Sequence, residues 1–466
     1  MLVEAGNNNL KIKIMSSLTI AIVVMFCVGY LFIAIESVTK VNKAAIALLM
    51  FVVCWTLFMV DPSSYLPGAT GQQLINEVGE AIEKHLGSTS TTLFFLMGAM
   101  TIVEIVDQNG GFNWVRSVMK TRSKRALLWR IAFMTFFLSA ILDNLTTSIV
   151  MIMILRKLVR EHSDRIVYAS LVIIAANSGG AFSPIGDVTT IMLWVKGNIS
   201  SWGIIKSAII PSIVSVIVPG LLIGSRLKGE VLLPTEKSED NLSDSLITKN
   251  ERAIVFFIGV GGLIFVPIFR MLTDLPPFMG IMLVLGTLWV VTELIFKQKR
   301  FKKIAEDALP DIVRLLHKLD LSTIFFFLGI LTTVSALSQT GVLKSFGNLL
   351  DTTFNGNPYI VTGIIGILSS VVDNVPLVAS CMGMYDLIPA GMEGALTYGV
   401  DGSFWTLLSY CAGVGGSILI IGSAAGVVVM GLQKISFGWY MKNISWMALL
   451  GYFAGIAAFW LQSLIF

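Results

Sequence analysis

The chain has 466 residues, 55% of them hydrophobic and 13% charged, and carries a formal net charge of +4. Soluble domains hold roughly a quarter charged residues, so this composition argues against a soluble globular protein. The basic residues sit in short loops rather than on one polar face, which argues against a nucleic-acid-binding surface. No GxxxxGK(S/T) phosphate loop, no HExxH spacing and no nucleophile–base constellation occurs. The sequence therefore reads as that of neither an enzyme nor a cofactor carrier, which leaves ion-driven transport or passive conduction across a lipid bilayer.

Apolar stretches approaching the ~20 residues that a spanning helix needs recur at 14–35, 44–60, 88–103, 203–225, 253–269, 277–292, 320–337 and 443–466. The first follows MLVEAGNNNLKIK without a small-residue cleavage pattern, so it reads as a retained helix ending at Glu36. Segment 72–86 reads as a short amphipathic helix at the interface, with His85 a surface histidine. Glu104 and Asp107 follow run 88–103, and Glu104 is a candidate for proton access.

Segment 131–155 has a single charge, Asp143, with twelve residues on either side, between the basic flanks KTRSKRALLWR and RKLVREHSDR. Both flanks favour the cytoplasm, which a hairpin entering and leaving on one side satisfies. Arms of twelve residues, about 18 Å long, carry the tip just past the middle of a ~30 Å core. In segment 166–195, Gly179, Gly180, Pro184 and Gly186 fall within eight residues and predict a broken helix. The polar stretch 226–252 reads as a cytoplasmic linker, 297–303 (KQKRFKK) as a cytoplasmic anchor, and 306–318 as a second interfacial helix. Segment 359–385 again has one charge, Asp373, but its flanks lack Lys and Arg, so this hairpin is expected to enter from the opposite side. Segment 404–433, with Gly413, Gly415, Gly416, Gly422 and Gly426, is expected to be a second broken helix. Cys27, Cys54, Cys381 and Cys411 read as small buried hydrophobes.

The halves resemble each other. Thr92–Gly111 aligns without gaps on Thr323–Val342, Ser139–Asn144 on Ser369–Asn374, and Ser178–Asp187 on Val414–Ser423. The expected architecture is an all-α polytopic membrane protein of two inverted repeats, 1–225 and 253–466. Each would hold about five transmembrane helices plus a re-entrant hairpin and one broken helix.

Ionisable groups deep in a bilayer are expensive and mark function. Asp143 at a hairpin tip and Asp187 at a break are accompanied by Asn144, Thr146, Thr147, Ser183, Thr189 and Thr190. Carboxylate, amide and hydroxyl oxygens are what a hard alkali cation needs, so Na⁺ is expected at Asp143, Asn144 and Asp187. Neighbouring acids titrate as a coupled system, so protons and Na⁺ would compete there. The second half offers Ser369, Ser370, Asp373, Asn374, Ser417 and Ser423, with Ser423 where the first half has Asp187. Two other classes remain open: a Na⁺-coupled symporter or exporter of a small substrate on the same fold, and a cation channel.

The strings SAILDNLTTSIVM, GGAFSPIGDVTTIMLW, VVDN and GGSILIIGSAAG resemble the NhaD-type sodium/proton antiporters of the ion transporter superfamily, from about residue 15 onward. The resemblance implies exchange of Na⁺, and also Li⁺, for H⁺ by a homodimer in the bacterial inner membrane. It further implies a scaffold part and a transport part moving as an elevator. Asp143, Asn144, Thr146, Asp187, Thr189, Thr190, Asp373 and Asn374 match the positions implicated in ion handling.

Overall fold

The computed structural model describes residues 17–34, 39–66, 70–227, 229–231, 248–301, 321–371 and 373–465. Regular structure among them is helical, apart from one isolated bridge between Ser123 and Glu230. The first half contains α1 (Ser17–Ala34), α2 (Lys43–Val60), α3 (Gly71–Gln108), α4 (Asn113–Met119), α5 (Lys124–Leu142), α6 (Asn144–Leu158), α7 (His162–Ala181), α8 (Val188–Lys196) and α9 (Ser201–Arg226). The second contains α10 (Lys249–Thr273), α11 (Pro277–Phe301), α12 (Leu321–Gln339), α13 (Val342–Phe354), α14 (Pro358–Leu368), α15 (Asn374–Met384), α16 (Ala395–Tyr398), α17 (Ser403–Gly415), α18 (Ala424–Gln433), α19 (Phe437–Tyr440) and α20 (Trp446–Ser463).

Local sequence sets many of these boundaries. Asn42 caps α2, Ser123 caps α5 and Ser200 caps α9, each accepting a backbone N–H of the first turn. Thr248 and Glu251 form a capping box at α10, and Asn357 with Pro358 opens α14. Among the described residues eight helical segments are long and apolar enough to cross a membrane, and the chain is a multi-pass membrane protein. The arms α6, α14, α15 and α18 fall short of a span.

Two expectations are corrected by the structure. Segment 72–86 is no separate interfacial helix but the start of α3, which runs unbroken for 38 residues. Gly87 costs a helix only about 1 kcal/mol, too little to break one that packs along its length, and at 1.5 Å per residue α3 is about 57 Å long. Cys27 lies on the exposed face of α1, unlike the three buried cysteines. Glu36, segment 306–318, most of linker 226–252 and the end of 297–303 lie outside the described residues.

Two sets of helices organise the site. In one, α2 lies along α12, and α3 packs on α10, α11 and α12. In the other, α5 packs on α7, α14 on α17, α6 on α18 and α9 on α20. The sets meet where α15 touches α12, where α8 touches α3 and where α5 touches α10. One buried apolar core draws on both halves of the chain.

In the second set, one packing device occurs twice. A Cβ on Gly179 would run into the carbonyl oxygen of Phe136, and one on Gly415 into that of Gly366. Hairpin and broken helix therefore touch backbone to backbone, as small residues permit in membrane helices. Ser139 donates to the Ala176 carbonyl at 2.6 Å, and Ser369 to the Ala412 carbonyl at 2.7 Å.

Candidate ion-binding site

Two hairpin tips and two helix breaks converge, and each ends in an N-cap. Asp143 caps α6, Asp187 caps α8, Asp373 caps α15 and Ser423 caps α18. The first-turn N–H groups and the helix dipole favour negative charge at such positions. That is how anionic side chains are accommodated away from water.

Asp143 is the single residue between α5 and α6, at φ +84° and ψ 158°, a backbone state that costs a non-glycine residue roughly 1–3 kcal/mol. Its carboxylate is held locally. One oxygen accepts from the Thr146 backbone N–H and the other from the Thr146 hydroxyl, both at 2.8 Å.

Asp187 lies at the centre and is 1% exposed. Residues 182–187 separate α7 from α8. Oδ1 of Asp187 accepts from the Thr189 N–H at 2.9 Å and the Thr189 hydroxyl at 2.7 Å. Asn144, beside the first hairpin tip, donates to Oδ2 at 2.5 Å, and Asn374, beside the second, reaches both oxygens at 3.3 and 3.4 Å. Asn144 also donates to Asn177 at 3.1 Å, and Asn177 donates to Ser423 at 3.0 Å. A chain of amides thus joins the two breaks. Asp143 interacts electrostatically with Asp187, and Asp187 with Asp373.

The remaining expected residues take different places. Thr190 shares a hydrogen bond of 3.2 Å with Ser409, and Ser183 donates to Ala140 O, so both brace the first break. Ser369, Ser370 and Ser417 turn their hydroxyls onto backbone carbonyls, those of Ala412, Ile367 and Val414. The Thr147 hydroxyl is buried with no hydrogen-bond partner among the described residues, one turn from Asp143. Glu104 stands apart on α3, accepting from Gln108 at 2.6 Å. His85 is half-buried rather than on the surface. It lines a cavity of about 310 Å³ between α3, α8, α12 and α15, with a ring nitrogen 2.9 Å from the Gln339 amide. Among the described residues no three Asp, Glu, His or Cys side chains close on one point as chelating ligands. Any cation here would draw on amide, hydroxyl and carbonyl oxygens beside Asp187.

Sequence reasoning missed two contributors. Asn177 was visible as the polar end of the apolar string IVYASLVIIAAN. Lys43 gave no signal. Its ammonium lies 3.2 Å from Asp373 Oδ2, although 330 residues separate them.

A polytopic helical chain whose buried polar groups gather at two interrupted helices and two hairpin tips is built as a membrane transporter. The family model described as "Citrate transporter" (CitMHS) matches residues 30–399. Sodium/proton antiporter 1 of Arabidopsis thaliana is 42% identical over 442 residues, covering 94% of this chain and 72% of the plant protein. The Na⁺/H⁺ antiporter NhaD of Vibrio cholerae is 27% identical over 471 residues, covering 95% and 91%. In fold, the chain is similar to the YdaH transporter of Alcanivorax borkumensis, with a TM-score of 0.56 at 12% identity, covering 89% of this chain and 97% of that one. The chain belongs to the NhaD-type sodium/proton antiporters of the ion transporter superfamily, within the CitMHS family.

Proposed function

We propose that this transporter exchanges Na⁺, and also Li⁺, for H⁺, with cation and proton competing for carboxylates at Asp187, Asp143 and Asp373. The observation that carries this is Asp187: a buried anion at a helix break, with Asn144 and Asn374 from both hairpins turned toward it. Each amide is bifunctional. Its NH₂ now satisfies Asp187, and rotation would present its oxygen to a cation at the same place. Thr147, Thr189 and Thr190 supply further oxygens, with Ser369, Ser417 and Ser423 bracing or completing the second half. A single site that a proton or an alkali ion can neutralise, but not both, suffices for antiport.

Charge distribution supports oppositely entering hairpins in inverted repeats. Arg156 and Arg165 reach Leu432 and Gln433 at the end of α18, so the ends of the first hairpin and second broken helix share a basic cluster. The ends of the second hairpin lie instead beside Asp351 and Asp386, the latter paired with Lys344. The positive-inside bias favours the cytoplasmic side for the first cluster. An elevator motion of the second helix set against the first, in a homodimer of the inner (plasma) membrane, is what the NhaD resemblance adds.

A citrate substrate, suggested by the family's description, is disfavoured. A tricarboxylate would approach three carboxylates, and the nearby Lys43 is already paired with Asp373. The test is proton flux in everted vesicles on addition of Na⁺, Li⁺, K⁺ or citrate. Flux is expected with Na⁺ and Li⁺. Citrate uptake without any cation-driven pH change overturns the reading, and electrodiffusive Na⁺ flux without protons indicates a channel.

A further inference from the structure

We infer that Lys43 is a tethered competitor for the transported cation: its ammonium occupies the carboxylate at the second hairpin tip until a monovalent cation displaces it. This rests on the Na⁺/H⁺ reading and adds to it a residue that sets cation affinity and links the two helix sets.

The placement of Lys43 is costly by itself. It is the first residue of α2, and a cation in the first turn of a helix faces the positive end of the dipole. The position is fixed nonetheless. Asn42 caps α2 through Ala44 N–H at 2.8 Å and accepts from Ser322, at the start of α12, at 2.9 Å. From this anchored start the side chain extends over the Phe326 ring, 4.3 Å from its centroid, to Asp373. The two side chains are only 23% and 14% exposed, so this is no solvated surface pair. The Tyr30 hydroxyl of α1 donates to the Asp373 carbonyl at 3.3 Å, adding a second tie to the same tip.

The tie crosses between helix sets. Lys43, Tyr30 and Phe326 belong to α2, α1 and α12, whereas the neighbour of Asp373, Asn374, contacts Asp187 on the broken helix. The carboxylate can satisfy one cation at short range. An alkali ion that draws Asp373 inward must release Lys43, and releasing Lys43 unties the hairpin from α2. Cation binding and the freedom of the hairpin are thereby coupled, and such couplings amount to about 5- to 150-fold in affinity.

The test compares the wild type with Lys43→Met, Lys43→Arg, Asp373→Asn and the double variant Lys43→Met/Asp373→Asn. Two curves are read: Na⁺-dependent proton flux in vesicles, and thermal stabilisation of the purified protein by Na⁺. Removing the competitor in Lys43→Met is expected to lower the half-saturating Na⁺ on the order of tenfold in both curves. Lys43→Arg, which keeps the pair, stays within about threefold of the wild type, and adding Lys43→Met to Asp373→Asn brings no further change. A merely structural lysine would reduce maximal rate and melting temperature without improving affinity. If Lys43→Met misfolds because it leaves Asp373 unpaired, the double variant, which removes both charges, still reports against Asp373→Asn. Unchanged or weaker Na⁺ affinity in Lys43→Met, or an undiminished Lys43→Met effect on top of Asp373→Asn, overturns the inference. A wild type that shows neither Na⁺ response overturns the proposed function as well, whereas a responsive wild type with an indifferent Lys43→Met overturns the inference alone.

Discussion

Asp187 and Ser423 occupy corresponding places, each following a broken helix and capping the next one. Ser423 accepts the Gly426 N–H at 3.2 Å with a neutral hydroxyl. Capping therefore needs no charge, and Ser and Asp serve it about equally well. The carboxylate at Asp187 exceeds what the fold requires, and the donors gathered around it are what its burial demands. The hairpin tips both carry a capping carboxylate but direct it differently. Asp143 is closed onto its own first turn by Thr146, while Asp373, at φ −48°, is turned outward to Lys43. The packing and capping around the breaks are thus alike in the two halves, and the charge is distributed unequally between them.

That inequality can be broken most directly at the carboxylates. Asp187→Asn removes a buried charge held by hydrogen bonds, an interaction worth roughly 2–5 kcal/mol, so Na⁺-dependent proton flux is expected to fall at least about 30-fold. Asp373→Asn removes a partly exposed charge and should reduce flux less, by about 5- to 10-fold. Equal losses in the vesicle assay would show that the halves contribute alike. Where the scaffold is shared, matched effects are expected instead. Gly179→Ala and Gly415→Ala each force a Cβ against a carbonyl, and each should cost about 1–3 kcal/mol, read as lowered melting temperature in detergent. A large effect at one glycine with none at the other would deny the common packing. Smaller still, Ser139→Ala and Ser369→Ala each lose one interhelical hydrogen bond, about 1 kcal/mol apiece. Strongly unequal melting shifts would indicate that one of the two bonds serves the site rather than the fold.

Much of this was legible in residue order because a bilayer imposes simple rules. Backbone groups must bond within the chain, so apolar runs become helices, and a lone Asp in such a run, or a Gly–Pro cluster, marks where a helix stops. Asp143, Asp187 and Asp373 all stand at such stops, and each is also an N-cap. The misreading of segment 72–86 has a local cause. Its polar face suggested an interface helix, but its apolar side packs Val78, Ala81 and Ile82 into a buried cluster, and α3 continues through the exposed Gly87.

What sequence determined, then, is which stretches are helical, where they break and which breaks carry acid, since these follow from hydropathy, glycine and proline placement and capping chemistry. What only the tertiary structure decided is who meets whom. Asn374 reaches Asp187 across 187 residues, Asn177 reaches Ser423 across 246, and Lys43 reaches Asp373 across 330. No local rule encodes such pairings, because they arise only when two hairpins and two interrupted helices are packed together and every buried polar atom must find a partner.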